Sequence, residues 1–169
     1  YERNATPGGK LTAFEKDGFQ FDAGPSLFTQ PANILELFEL AGERVEDYFS
    51  FESVDIACHY FFPNGKNIRA YTDREKFAAE MQLQAGEPSP AVMRYLTDAE
   101  KLYDRIGTIF LNHSLHKRST WLQKPILKAL QTLRYRHLFN SMNELNSKHF
   151  SKSETIQLFN RFATYNGSN

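Results

Sequence analysis

The sequence predicts a mixed α+β chain in which strands come first and helices dominate the second half. Three observations predict this. The turn dipeptides Asp17-Gly18 and Asn64-Gly65 each join short apolar segments, as β-hairpins do. Apolar residues recur at helical spacing after Pro31. From Ala91 to Phe162 the whole stretch reads as helical.

Composition sets the frame. The 169 residues suit one ordinary domain or two small pieces, and 41% hydrophobic with 24% charged residues is a globular balance. Phenylalanine is abundant at 15, with 8 tyrosines. These rings suit a core or a greasy ligand. A formal net charge of zero gives no global field for nucleic acid. One cysteine, Cys58, excludes an internal disulfide and a cysteine-cluster metal site, and its apolar neighbours suggest a buried, inert thiol. No apolar run approaches the roughly 18 residues of a membrane span, and no signal peptide is expected. Tyr1-Glu2-Arg3 and Tyr165-Asn166-Gly167-Ser168-Asn169 read as cuts within a longer protein.

In order, residues 4–9 form a loop rich in turn formers. Lys10 to Phe14 is the first predicted strand, and Phe19 with Phe21 belongs to its hairpin partner, which ends at Asp22-Ala23-Gly24-Pro25. Pro31 opens a helix through Ile34, Leu35, Leu37, Phe38 and Leu40, and Gly42 stops it. Phe49 to Tyr71 gives two strands around Pro63-Asn64-Gly65. Thr72-x-x-Glu75 fits a capping box for a helix reaching about Gln84, and Gly86 to Pro90 is a break. Within the helical second half, breaks are expected near Ser119, Pro125 and 147–151, and Ser151 or Ser153 can cap the last helix.

Two features carry chemistry. The first is an ordered series: Glu2, then Gly8-Gly9-Lys10-Leu11-Thr12, then Phe19-Gln20-Phe21-Asp22-Ala23-Gly24-Pro25-Ser26. An acid ending a strand can accept hydrogen bonds from ribose hydroxyls. Glycines let a main chain approach a cofactor without a Cβ clash. Alone, the acid and the two glycines fit a surface loop equally well. Asp22 fits a turn-capping role better than acid–base catalysis.

Taken together, the series resembles the flavin-binding segment of the phytoene (carotenoid) desaturases and their amine-oxidase-like superfamily. Phe162-Ala163-Thr164-Tyr165-Asn166-Gly167-Ser168-Asn169 resembles a further segment of those enzymes. The resemblance implies a partial FAD/NAD(P)-binding Rossmann-like piece, with substrate-domain strands and a helical C-terminal half. It divides the chain into a partial flavin-binding region at 1–50, strands and a helix of a substrate domain at 51–87, and a helical substrate- or membrane-facing region at 88–169. It also implies that Glu2, Arg3, Gly8, Gly9, Lys10, Gly24, Pro25 and Ser26 contact FAD. The implied reaction is hydride removal from saturated C–C units of a carotene. Other flavin oxidoreductases share the scaffold: carotenoid oxidases, retinol saturase-like enzymes and amine oxidases. A non-catalytic membrane-binding module is the alternative from another class. Lys10 stands where Arg is common in the superfamily, which keeps the charge but loses the bidentate fork. The Gly-x-Gly-x-x-Gly turn that holds the pyrophosphate is expected about 25 residues before Glu2. These 169 residues alone are therefore expected to bind FAD poorly or not at all. No residue is assigned as a catalytic acid or base.

The second feature is charge asymmetry. Between Arg105 and Asn143 there is no Asp or Glu, while Arg105, Lys117, Arg118, Lys124, Lys128, Arg134 and Arg136 interleave with Trp121 and many aliphatic residues. A basic amphipathic segment with an interfacial Trp reads as a membrane-surface element or as a solvated helix packed on the protein. The family resemblance favours the membrane reading, with Lys117, Arg118, Trp121, Lys124, Lys128, Arg134 and Arg136 facing the lipid. The implied partners are a lipophilic polyene and a membrane surface, with no nucleic acid, and the implied location is cytoplasmic and peripheral on the membrane. His113-x-x-His116 lacks a nearby carboxylate, and no metal site is expected.

Overall fold

The structure is a computed structural model describing residues 3, 7–24, 28–114, 116–124, 126–127 and 139–166. It divides into two compact units, Tyr1–Glu52 and Ser53–Asn169.

In the first unit, strands β1 (Ala13–Lys16) and β2 (Phe19–Asp22) form an antiparallel hairpin with Phe14 opposite Phe21. Their rings stack at 5.2 Å. The Asp17-Gly18 turn is as expected, but β1 starts three residues after Lys10 (13 − 10), because Gly8 to Leu11 is spent on a turn closed by Leu11 N–H donating to Gly8 O at 3.0 Å. Helix α1 (Pro31–Ala41) begins on Pro31 and is closed by the Gly42 N–H on the carbonyls of Phe38 and Glu39. Both ends match the sequence reading, since Pro needs no amide partner in a first turn. Phe38 of α1 packs against Tyr48 and Phe49, and Phe28 meets Phe49 and Phe51 edge-on. This unit holds together through ring contacts and half-buried Ile34 and Leu35; none of its described side chains is fully buried.

The second unit has a core. Strands β3 (Ile56–Phe61) and β4 (Asn67–Tyr71) pair antiparallel around Asn64-Gly65, with a bulge at Ala57 between the Ile56 and Cys58 registers. Residues 49–55, expected within a strand, lie outside β3. Helix α2 (Arg74–Glu80) continues through a π-helical turn (Met81–Ala85), and α3 runs Ser89–Asn112. A single turn α4 (Arg118–Trp121) follows, then α5 (Met142–His149), α6 (Ser153–Asn160) and a 3₁₀ turn (Arg161–Asn166). Ile68, Phe77, Ala78, Met81, Ala85, Val92, Phe150, Leu158 and Phe159 form one buried cluster. A large apolar side chain buried this way contributes about 1.5–3 kcal/mol.

Several local expectations are corrected. Asp73, not Thr72, caps α2, accepting the Lys76 N–H at 2.8 Å. Thr72 instead lies just past β4 and ties it to the segment before β3: its N–H donates to Asp55 O, and its hydroxyl donates to the carbonyls of Val54 and Asp55. Pro90 lies in the first turn of α3 rather than in a break. The break expected near Ser119 is present, since the described residues 113, 114, 116 and 117 lie between α3 and α4, while Ser119 itself sits within the single turn α4. The break expected near 147–151 falls at residues 150–152, after α5 has run through Ser147 to His149, and the capping box of α5, Ser141 with Glu144, was not anticipated. Neither Ser151 nor Ser153 caps α6: Lys152 is the N-cap residue and makes no side-chain cap bond. Cys58 is half-buried rather than buried. The expected break at Pro125 lies outside the described residues.

Candidate functional site

The Gly8–Leu11 turn and the end of β2 come together because the hairpin folds back on itself. Ala23 N–H donates to Thr12 O at 2.7 Å, extending the β1–β2 ladder by one step. That step lays Gly24 against the preceding turn. A Cβ on Gly24 would sit 2.3 Å from Lys10 O and 3.1 Å from Leu11 Cα. Only glycine fits there without moving the main chain. Gly9 differs: its φ is +60°, and nothing lies within 4 Å of where its Cβ would be. One glycine is required by contact within the protein. The other leaves main chain open on its outer side.

Beside this junction lies a shallow cleft of about 250 Å³ lined by Leu11, Thr12, Ala13, Asp22 and Gly24. Of the residues assigned to the cofactor, Gly8, Gly9, Lys10 and Gly24 are brought together. Arg3 is exposed, and nothing among the described residues ties it to the cleft. Glu2, Pro25 and Ser26 lie outside the described residues. The Asp22 carboxylate lines the cleft and makes no hydrogen bond among the described residues, so the expected turn-capping contact is not formed there. The cleft is too small to enclose a dinucleotide, but an open glycine turn and an exposed Lys10 fit one edge of such a group. These residues would hold and orient it, Lys10 as a point charge toward a phosphate.

The basic surface belongs to the second unit. Lys117, Arg118 and Lys124 are exposed around Trp121, which is 37% exposed, and Leu122, which is 77% exposed. The helix here is a single turn, shorter than expected. Ile106, Ile109 and Ile126 pack together in a small cluster of their own. Lys128, Arg134 and Arg136 lie outside the described residues.

Polar groups that the sequence did not single out organise the second unit. Glu87, only 2% exposed, accepts the main-chain N–H groups of Ser151 and Lys152 and the Ser151 hydroxyl. Its negative charge stands at the start of α6, where a helix favours it. Glu154, 8% exposed, accepts from Lys66 Nζ at 2.6 Å and Asn64 Nδ2 at 2.7 Å. The Lys66 ammonium, backed by main-chain and side-chain donors, pulls this carboxyl down to about 2. A third network runs from the Tyr95 hydroxyl to Asn146, Asn160 and Asn143. Burial pushes the Tyr95 phenol up. Near the sheet, Arg161 donates to the Tyr60 hydroxyl at 2.8 Å. Burial pushes the Tyr60 phenol up, partly offset by that hydrogen bond. Each pairing joins residues far apart in the chain, so periodicity and local spacing could not reveal it.

Comparison with known proteins decides the family. The flavin containing amine oxidoreductase family matches residues 1–167. The chain belongs to this family. Several curated relatives bear the names of carotenoid enzymes. It is 40% identical over 168 residues to the 1-hydroxycarotenoid 3,4-desaturase of Flavobacterium sp. (strain P99-3), covering 99% of this chain and 34% of that protein. It is 27% identical to the 4,4'-diapophytoene desaturase (4,4'-diaponeurosporene-forming) of Staphylococcus haemolyticus (strain JCSC1435), covering 94% of this chain and 31% of that protein. The 4,4'-diapolycopene oxygenase of Methylomonas sp is 28% identical, with coverage of 99% and 33%. The chain thus spans about a third of the length of these curated relatives. As a carotenoid desaturase family chain, it places the glycine junction in a flavoprotein context, and the family's cofactor is a flavin.

Proposed function

We propose that the protein containing this chain is an FAD-dependent carotenoid desaturase that acts on CH–CH bonds. The observation that carries this reading is the junction of the Gly8–Lys10 turn with Gly24, in a chain that matches a flavin-dependent family over nearly its whole length. When bound, FAD supplies the two-electron acceptor chemistry. Turning a saturated CH–CH unit into C=C removes a hydride and a proton. The part proposed for this chain is to orient one edge of the flavin with Gly8, Gly9, Lys10 and Gly24. Contact of Glu2, Arg3, Pro25 and Ser26 with the same cofactor is proposed from the motif alone.

A phytoene-type carotene is the substrate read from the sequence motif. The 40% identity to a 1-hydroxycarotenoid 3,4-desaturase supports a hydroxylated carotenoid as a second substrate to try. The Methylomonas relative favours one alternative reaction, oxygenation on the same scaffold. Such substrates are lipid-soluble, which suits a location in the cytoplasm, peripheral on the membrane. Lys117, Arg118, Trp121, Lys124, Lys128, Arg134 and Arg136 are the proposed contact surface. Incubating the FAD-loaded full-length protein with phytoene and with a 1-hydroxycarotenoid, then weighing the products, tests the reading. A loss of two hydrogens supports desaturation, a gain of oxygen supports the oxygenase alternative, and unchanged carotenoids from both incubations contradict the proposal.

A further inference from the structure

The turn of the β3–β4 hairpin carries a set of contacts that the proposed reaction does not use. Asn64 Nδ2 donates to Glu154 Oε1 at 2.7 Å, and Lys66 Nζ donates to the same oxygen at 2.6 Å. These contacts fasten the hairpin turn to the first turn of α6, 90 residues further along the chain. Asn64 therefore supplies a donor to a carboxylate that stays ionised, since Glu154 is held down to about 2.

The same asparagine is placed to react with its own main chain. Its Oδ1 accepts the Lys66 N–H, two residues on, at 3.2 Å. That bond curls the side chain over the intervening peptide and brings Asn64 Cγ beside the Gly65 nitrogen. It also draws electron density from the side-chain carbonyl, which favours attack at Cγ. Gly65 has no Cβ to screen its nitrogen, and nothing lies within 4 Å of where one would be. The Gly65 N–H donates to Phe62 O at 3.0 Å, which keeps that nitrogen in place. Asn64 and Gly65 are both exposed, so water reaches them.

We propose that Asn64–Gly65 is a self-modification site whose conversion to aspartate or isoaspartate releases the hairpin turn from α6. The Gly65 nitrogen bonds to Asn64 Cγ, the Cγ–Nδ2 bond breaks, and the Gly65 amide proton leaves with the side-chain amide as ammonia. The chain is left with a cyclic imide. Water then opens the imide at either carbonyl, and nothing is oxidised or reduced. Both products lack the Nδ2 donor. Aspartate puts a second carboxylate against Glu154, with Lys66 the one cation between them. Like charges at that range oppose each other. Isoaspartate also adds a carbon to the main chain within the turn.

Peptide mapping by mass spectrometry of the full-length protein, held folded in warm, mildly alkaline buffer, tests the modification. The peptide carrying Asn64 is expected to gain one mass unit and to accumulate isoaspartate. An Asn64 that stays intact in the folded protein after the unfolded protein has converted overturns the proposal. Amide hydrogen exchange on Asn64→Asp in the same protein tests the release. The Phe62 and Gly65 amides, which close the turn on Lys66 O and Phe62 O, are expected to exchange at least about tenfold faster than in the native protein. Unchanged exchange overturns the proposal. Asn64→Asp combined with Glu154→Gln faces an acceptor with a donor again. Exchange in this double variant is expected to return to within about threefold of native. A double variant as fast as Asn64→Asp alone shows that the facing carboxylates are not the cause, and contradicts the proposal.

Discussion

Gly24 and Lys10 lie closer than any side chain between them would permit: a β-carbon on Gly24 would fall 2.3 Å from the Lys10 carbonyl oxygen. This contact joins the two halves of the glycine motif across the β1–β2 hairpin. It gives Gly24 a reason to be glycine that precedes any cofactor.

Gly24→Ala in the full-length protein should therefore open the junction and loosen flavin retention by at least about tenfold, since the main chain must shift to relieve the clash. Gly9→Ala is the comparison. Its site is open but its φ is +60°, so the strain is about 1–2 kcal/mol and the junction survives. Flavin content and melting temperature of both variants measure this. Equal effects of the two would show that the close approach does not hold the site together.

Glu87 should matter most to the second unit. Removing its carboxylate in Glu87→Ala leaves the Ser151 and Lys152 amides without their acceptor. A loss of about 2–4 kcal/mol in urea unfolding is expected, with Glu87→Gln intermediate. A change below about 0.5 kcal/mol would place Glu87 among ordinary surface residues.

Glu154 sets an acid limb. Its folded pKa, about 2, lies below the ordinary 4.5. A depressed carboxylate stabilises the fold fully above its unfolded value and loses that contribution as pH falls through its folded value. Stability should thus decline between about pH 4.5 and 2 more steeply in the native chain than in Glu154→Gln. Parallel acid titrations of both, followed by circular dichroism, check the slope. Identical slopes would mean that the Lys66–Glu154 pair does not form in solution.

Lys117, Arg118 and Lys124 are exposed beside Trp121. Replacing all three with Glu should abolish co-sedimentation of the full-length protein with anionic vesicles at low salt, as each basic contact is worth about 1 kcal/mol. High salt should weaken the native protein's binding in the same direction. Vesicle binding unaffected by both would show that the basic surface does not contact the membrane.

The sequence exposed what depends on neighbours in the chain. Asp17-Gly18 and Asn64-Gly65 marked both hairpins, and Pro31 with Gly42 bounded α1, because turn and cap chemistry acts over a few residues. The motif around Gly8, Gly9 and Gly24 marked the family for the same reason. What escaped was decided at long range. The start of α6 is served by Glu87, more than sixty residues earlier, so the nearby serines misled. Thr72 resembled a cap, but its hydroxyl is taken up by the carbonyls of Val54 and Asp55 ahead of β3.

The most direct test of the central claim is the absorption spectrum of the full-length protein during anaerobic addition of a carotenoid substrate. Bound oxidised flavin is expected to bleach as the carotenoid absorption moves to longer wavelength. A folded full-length protein that neither carries nor takes up FAD would contradict it.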